Sequence, residues 1–129
     1  MATIQTRVSI FSSDLISNTI NLNNSFNVTG TSTNGLARNP ITSTAVGTAS
    51  GQVTIYTADD YAATAYIYLK NMDTTVTDYI YIFIDTSTVI LRLSGGEAVL
   101  LPTNADKTYK AYAASSGTVL EHMVFGTDQ

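Results

Sequence analysis

Two short runs constrain the fold of this chain more than any other feature. Ala65–Lys70 (AYIYLK) and Tyr79–Ile84 (YIYIFI) each alternate residue by residue between an aliphatic and an aromatic or polar set. A period of two sends successive side chains to opposite faces of a β-strand, whereas a helix would scatter both sets around its axis. Ala65, Ile67 and Leu69 therefore share one face with Tyr66, Tyr68 and Lys70 opposite, and Ile80, Ile82 and Ile84 share one face with Tyr79, Tyr81 and Phe83 opposite. Joined as a hairpin over Ala62–Ile84, the two strands make their aliphatic faces coincide when Tyr68 stands opposite Tyr79 and Tyr66 opposite Tyr81.

Isoleucine and leucine are the residues most often fully buried, while a tyrosine hydroxyl needs water or a partner. The aliphatic face is thus expected inward and the four tyrosines outward. Tyr66, Tyr68, Tyr79 and Tyr81 are the candidate interface, because tyrosine is enriched in the contacts between subunits and partners. The alternative is that both faces are covered, by a second sheet or by the amino-terminal part of the chain.

The same punctuated pattern continues on either side. Short apolar runs separated by turn signals predict strands at Gln52–Thr57, Ala62–Lys70, Asp78–Ile84, Val89–Leu93, Ala98–Leu101, Thr108–Ala113 and Thr118–Phe125, a spacing suited to a sandwich or barrel. No segment pairs helical periodicity with caps. Gly95 and Gly96 fit the positive-φ positions of a tight turn, which would pair Leu93 with Ala98 and Leu91 with Leu100. With 129 residues the chain is the size of one domain able to bury a core.

Met1–Gly51 differs in character. It is dominated by Ser, Thr, Asn and Gly and can bury little apolar surface for each residue it orders. It reads as an amino-terminal arm with edge strands at Thr3–Ile10 and Thr19–Val28, preceding a β-sandwich core over Gln52–Gln129.

Few function classes survive the composition. Six basic residues against ten acidic give a net charge of −4, and the cations are scattered, so no basic patch offers a nucleic acid its phosphate contacts. No run is apolar enough for a transmembrane span, and MATIQTRVSIFSSD lacks the charged start and apolar core of a signal peptide. There is no cysteine, hence no disulfide and no thiolate ligand or nucleophile.

His122 is the only histidine. Glu121 beside it points to the opposite face of a strand, so the pair does not converge on a metal. Asp59, Asp60, Asp73 and Asp78 fall at turns, where Asp commonly bonds its own backbone, and match no calcium loop. No nucleophile elbow, Walker loop or dinucleotide fingerprint occurs. The chain is therefore expected to have no catalytic residues, no cofactor and no metal.

From Tyr61 to Phe125 a recurring grammar appears: a strand ending in Leu69-Lys70-Asn71, a Thr-rich turn, a second strand, and Gly96-Glu97 leading to Leu101-Pro102. A closing pair is built on Tyr109-x-Ala111-x-Ala113 and Val119-Leu120-Glu121-His122. In this it resembles small virion structural proteins of tailed bacteriophages, namely jelly-roll decoration, or cement, proteins. The resemblance implies an all-β, jelly-roll-like β-sandwich. It also implies a homotrimer on the outer capsid surface of the virion, made in the host cytoplasm, with the major capsid protein as partner and capsid stabilisation as function. The Gly-Glu turn is similar to that of cupins too, but a metal cupin needs several histidines. A second class of function is a carbohydrate- or receptor-binding module of a tail fibre or spike, in which exposed tyrosines stack on sugar rings.

Overall fold

The computed structural model describes residues 2–14, 19–30 and 32–128, and every regular element among them is a β-strand. Two long strands, β1 (Ala2–Ser12) and β2 (Ile20–Gly30), pair only with each other. The remainder is β3 (Ser32–Thr33), β4 (Ala37–Ile41), β5 (Val53–Tyr56), β6 (Tyr61–Asn71), β7 (Ile80–Ile84), β8 (Thr88–Leu93), β9 (Ala98–Asn104), β10 (Tyr109–Ala113) and β11 (Thr118–Asp128). All seven strands expected after Gly51 are present. β3 and β4 were not expected, and β4 carries Pro40, whose missing N–H suits it to a sheet edge.

The strands form a β-sandwich. One sheet has the order β5-β10-β7-β8; in the other β6 lies between β11 and β9, and β3 and β4 both line the far side of β11. All neighbours are antiparallel. From β4 onward the chain changes sheet at every connection except the one between β7 and β8. Of the segment read as arm and edge strands, Ala2–Ser12 and Ile20–Gly30 make the separate ribbon, and β3 and β4 supply the edge along β11.

The alternation that predicts strands also builds the core. Ile67 and Leu69 of β6 and Ile80 and Ile82 of β7 are all 0% exposed, and with Ile41, Ile55, Leu93, Leu120 and Val124 they form one cluster. Each such side chain contributes about 1.5–3 kcal/mol by leaving water. Tyr56, Tyr61 and Tyr109 close the cluster, Tyr56 standing edge-on to Tyr61 and stacked on Tyr109. The Tyr56 hydroxyl lies 2.8 Å from Thr103 Oγ1 and 2.9 Å from the Asn104 carbonyl. Burial pushes its pKa up to about 12.

Two pairings read from the sequence are not those of the fold. β6 pairs with β9 and β11, and β7 with β8 and β10, so Tyr68 is not opposite Tyr79 and Tyr66 is not opposite Tyr81. The isoleucine faces do meet, but across the core between two sheets. β8 and β9 also lie in different sheets, so Leu93 pairs with Ile80 and Ala98 with Lys70.

Local chemistry at Asn71 accounts for both departures. Its buried side chain donates from Nδ2 to the Asp78 and Leu93 carbonyls at 2.7 and 3.1 Å, and Oδ1 accepts from the Asp73 amide at 3.0 Å. Its backbone bonds Glu97 O and Gly96 N at 2.9 and 3.0 Å. One residue thus ties the end of β6 to the loop before β7 and to the turn after β8, holding the two sheets together at this end. Only Gly96 of the glycine pair has positive φ. Gly95 is needed for another reason, since a Cβ there would come within 2.3 Å of the Thr75 carbonyl oxygen.

Candidate interaction surface

Because β6 and β7 belong to different sheets, the four expected interface tyrosines divide between the two outer surfaces of the sandwich. All four are half-buried. Tyr66 and Tyr68 lie on the surface formed by β11, β6 and β9, where the register sets Glu121 beside Lys70, Met123 and Leu100 beside Tyr68, and Phe125 and Pro102 beside Tyr66. Tyr66 stacks on Phe125 at 5.6 Å between ring centroids.

Tyr68 donates its hydroxyl to Glu121 Oε1 at 2.7 Å, and Arg38 Nε donates to Glu121 Oε2 at 2.6 Å. These donors, the Tyr68 hydroxyl first, hold the Glu121 carboxyl below the usual carboxylate range. Burial, reinforced by the adjacent carboxylate, pushes Tyr68 up to about 12.

Tyr79 and Tyr81 lie on the opposite surface. There Tyr81 stacks on Tyr112 of β10 at 4.9 Å, Phe83 packs against Tyr112, and the Arg92 guanidinium sits 4.2 Å over the Tyr79 ring. A cation so placed is attracted by the ring's negative face. The sequence reading missed Tyr112 and Arg92 as members of this cluster. Their parity was legible, but their neighbours depended on β7 lying between β10 and β8.

The rings of Tyr66, Tyr79 and Tyr81 are turned toward other side chains, while Tyr68 lines the groove beside the ribbon. This matters for the sugar-binding alternative, which needs an open ring face.

Among the described residues, the largest group of exposed apolar side chains lies elsewhere, on the ribbon of β1 and β2. Its eleven cross-strand pairs run from Ala2 opposite Gly30 to Ser12 opposite Ile20 without a register shift. Pairing and parity gather Ile4, Val8, Ile10, Ile20, Leu22, Phe26 and Val28 on one face, together with Thr6, Ser12 and Asn24. The other carries Thr3, Gln5, Arg7, Ser9, Asn21, Asn23, Ser25, Asn27 and Thr29, with Phe11 as its one apolar member.

The ribbon root is fixed on the sandwich. Val28 is buried, and Gly30 passes so close to β11 that a Cβ on it would stand 2.9 Å from the Gly126 carbonyl oxygen. Farther out, Val8, Ile10, Leu22 and Phe26 are 43–51% exposed. With Phe11 they make up half of the large exposed hydrophobic residues among those described. A groove of about 420 Å³ runs between the root and the Tyr68 surface, lined by Ile4, Val8, Leu100, Met123 and Phe125 among others.

Among the described residues no three His, Asp or Glu side chains are placed to hold a metal ion. His122 points inward, 4% exposed, with Nε2 2.9 Å from Asn39 Nδ2. Burial lowers its pKa. Glu121 faces outward from the same strand, as parity requires.

No protein-family model matches the chain, and no curated protein matches it.

Proposed function

We propose that this chain is a non-enzymatic structural protein of a tailed-bacteriophage virion, a decoration protein that binds the outer surface of the head as a trimer and stabilises it. The observation that carries the reading is the ribbon. A two-stranded sheet alone is at best marginally stable in water, and a contiguous apolar face left open marks a surface built to be covered. A protein that works by assembly needs such a surface, and a long two-stranded ribbon standing outside the sandwich is suited to reaching a neighbour.

The body supports the same reading. The order β4-β11-β6-β9 facing β5-β10-β7-β8, with the chain crossing between sheets at nearly every step, is what a jelly roll of two interlocked Greek keys requires, an architecture used by viral capsid domains among others. Fold alone does not assign a function, so the weight rests on the ribbon. Binding only to the assembled shell would stabilise that shell by mass action.

The test is to mix the purified chain with phage heads that lack a decoration protein, sediment them, and heat the pellets while following DNA release. Saturable co-sedimentation and release at a higher temperature are expected. A chain that stays in the supernatant, or binds without raising the release temperature, would overturn the reading.

A further inference from the structure

We propose that the apolar face of the β1–β2 ribbon is covered by the same ribbon of a second copy of this chain, the two packing face to face. Assembly, as proposed above, is the premise; the new element is the seam itself, which is two-fold and so joins a copy of one trimer to a copy of the next. Ile10 stands directly opposite Leu22, and Val8, Phe26 and Ile4 extend the same stripe toward the root. Thr6, Ser12 and Asn24 interrupt the stripe, but its other large side chains are apolar, while the reverse face is polar except for Phe11, so one side alone calls for a partner. The only charged residue in the two strands is Arg7, on the polar face. The stripes themselves can therefore meet with no charge between them, and Arg7 stays at the edge of the contact, where it also lines the neighbouring groove.

Area decides how far the contact must reach. Two strands of eleven residues make a face about 37 Å long and about 10 Å wide, or about 370 Å². Because the root is already seated on the sandwich, two such faces together remove at most about 740 Å² from water, short of the roughly 1,200 Å² of a stable interface. The shortfall lies next to the stripe, because Ile4 and Val8 also line the groove floored by Leu100, Met123 and Phe125. The second copy accordingly covers the groove as well as the ribbon, and the Tyr68 surface of the sandwich borders the seam.

The absence of native cysteine makes the seam testable in the full chain with single introduced thiols. Ile10→Cys and Leu22→Cys place a thiol on the stripe; Ser9→Cys and Asn23→Cys place one on the reverse face of the same rows. Facing sheets lie about 10 Å apart, within reach of a short bismaleimide.

The stripe variants should cross-link into dimers on the order of tenfold faster than the reverse-face variants, because a held neighbour raises the effective thiol concentration. Equal rates on the two faces, or a wild-type mass that stays monomeric by light scattering at the highest concentration reached, would overturn the proposal. Stripe-specific cross-linking in a chain that fails to bind phage heads would uphold the seam and sink the decoration role. Head binding by a monomer would do the reverse.

Discussion

At the scale of single residues, the polar groups matter most where they are buried. Asn71 satisfies two carbonyls and one amide from inside the sandwich. Replacing it with Ala leaves those groups without partners and should cost about 2–3 kcal/mol, read as a lower urea midpoint at unchanged slope; a loss within error would show that water replaces the amide. His122 gives the molecule a pH dependence whose sign follows from burial. Its folded pKa lies below the ordinary 6.5, so the unfolded chain binds the proton more readily and stability rises with pH. The contribution is complete above pH 6.5 and is lost as pH falls toward the folded value. His122→Gln should flatten urea stability across that window, and an unchanged slope would contradict the burial. The Glu121 carboxyl behaves in the same sense at lower pH, its pKa being held down by Tyr68 and Arg38. That Glu121 and His122 face opposite ways was legible, because parity alone decides it. The Arg38 partner was not, since it comes from β4, a strand hidden in a Ser/Thr/Asn-rich segment that gives no alternation strong enough to read.

At the scale of elements, the sequence shows where strands lie and which face is inward, but not which strands are neighbours. The aliphatic faces of β6 and β7 look alike whether the strands pair edge to edge or face each other across a core. Their eight-residue connection permits either, and the deciding contacts run through Asn71 and Gly95. Gly95→Ala should therefore destabilise strongly by driving a methyl group into the Thr75 carbonyl, whereas a turn needing only positive φ at Gly96 would tolerate it. Thermal melts distinguish the two. The amino-terminal segment likewise separates into parts with different roles. Removing residues 1–30 takes away a ribbon outside both sheets and should leave a cooperatively folding sandwich. Removing residues 1–51 also deletes β4, exposing the edge of β11 and taking fully buried Ile41 from the core; loss of that side chain alone would cost about 2–5 kcal/mol. Circular dichroism should find the first truncation folded and the second not, and equal behaviour would contradict this division. The ribbon's own two faces could have been read by parity, since Ile4, Val8 and Ile10 all carry even numbers, as do Ile20, Leu22, Phe26 and Val28.

At the scale of the whole molecule, the expected four-tyrosine patch becomes two separate surfaces, the Tyr66 and Tyr68 surface and the Tyr79, Tyr81 and Tyr112 cluster, and the ribbon adds a third without a tyrosine. The tyrosines on each sheet largely pack against other side chains, so replacing Tyr79 and Tyr81 with Ser should disturb the local sandwich surface more than oligomer mass. Ile10→Asn combined with Leu22→Asn should instead lower the mass and leave the melting of the sandwich little changed, because both residues project from outside its core. Sedimentation equilibrium beside thermal melts separates these outcomes, and the opposite pattern would return the interface to the tyrosines. The central claim, that this sandwich acts by assembling on a shell, is tested most directly by electron cryomicroscopy of decoration-free phage heads incubated with the full chain. The account predicts added density on the outer head surface in trimeric clusters, with ribbons joining neighbouring copies. A bare shell beside an oligomeric chain in solution, or density confined to the tail, would contradict it.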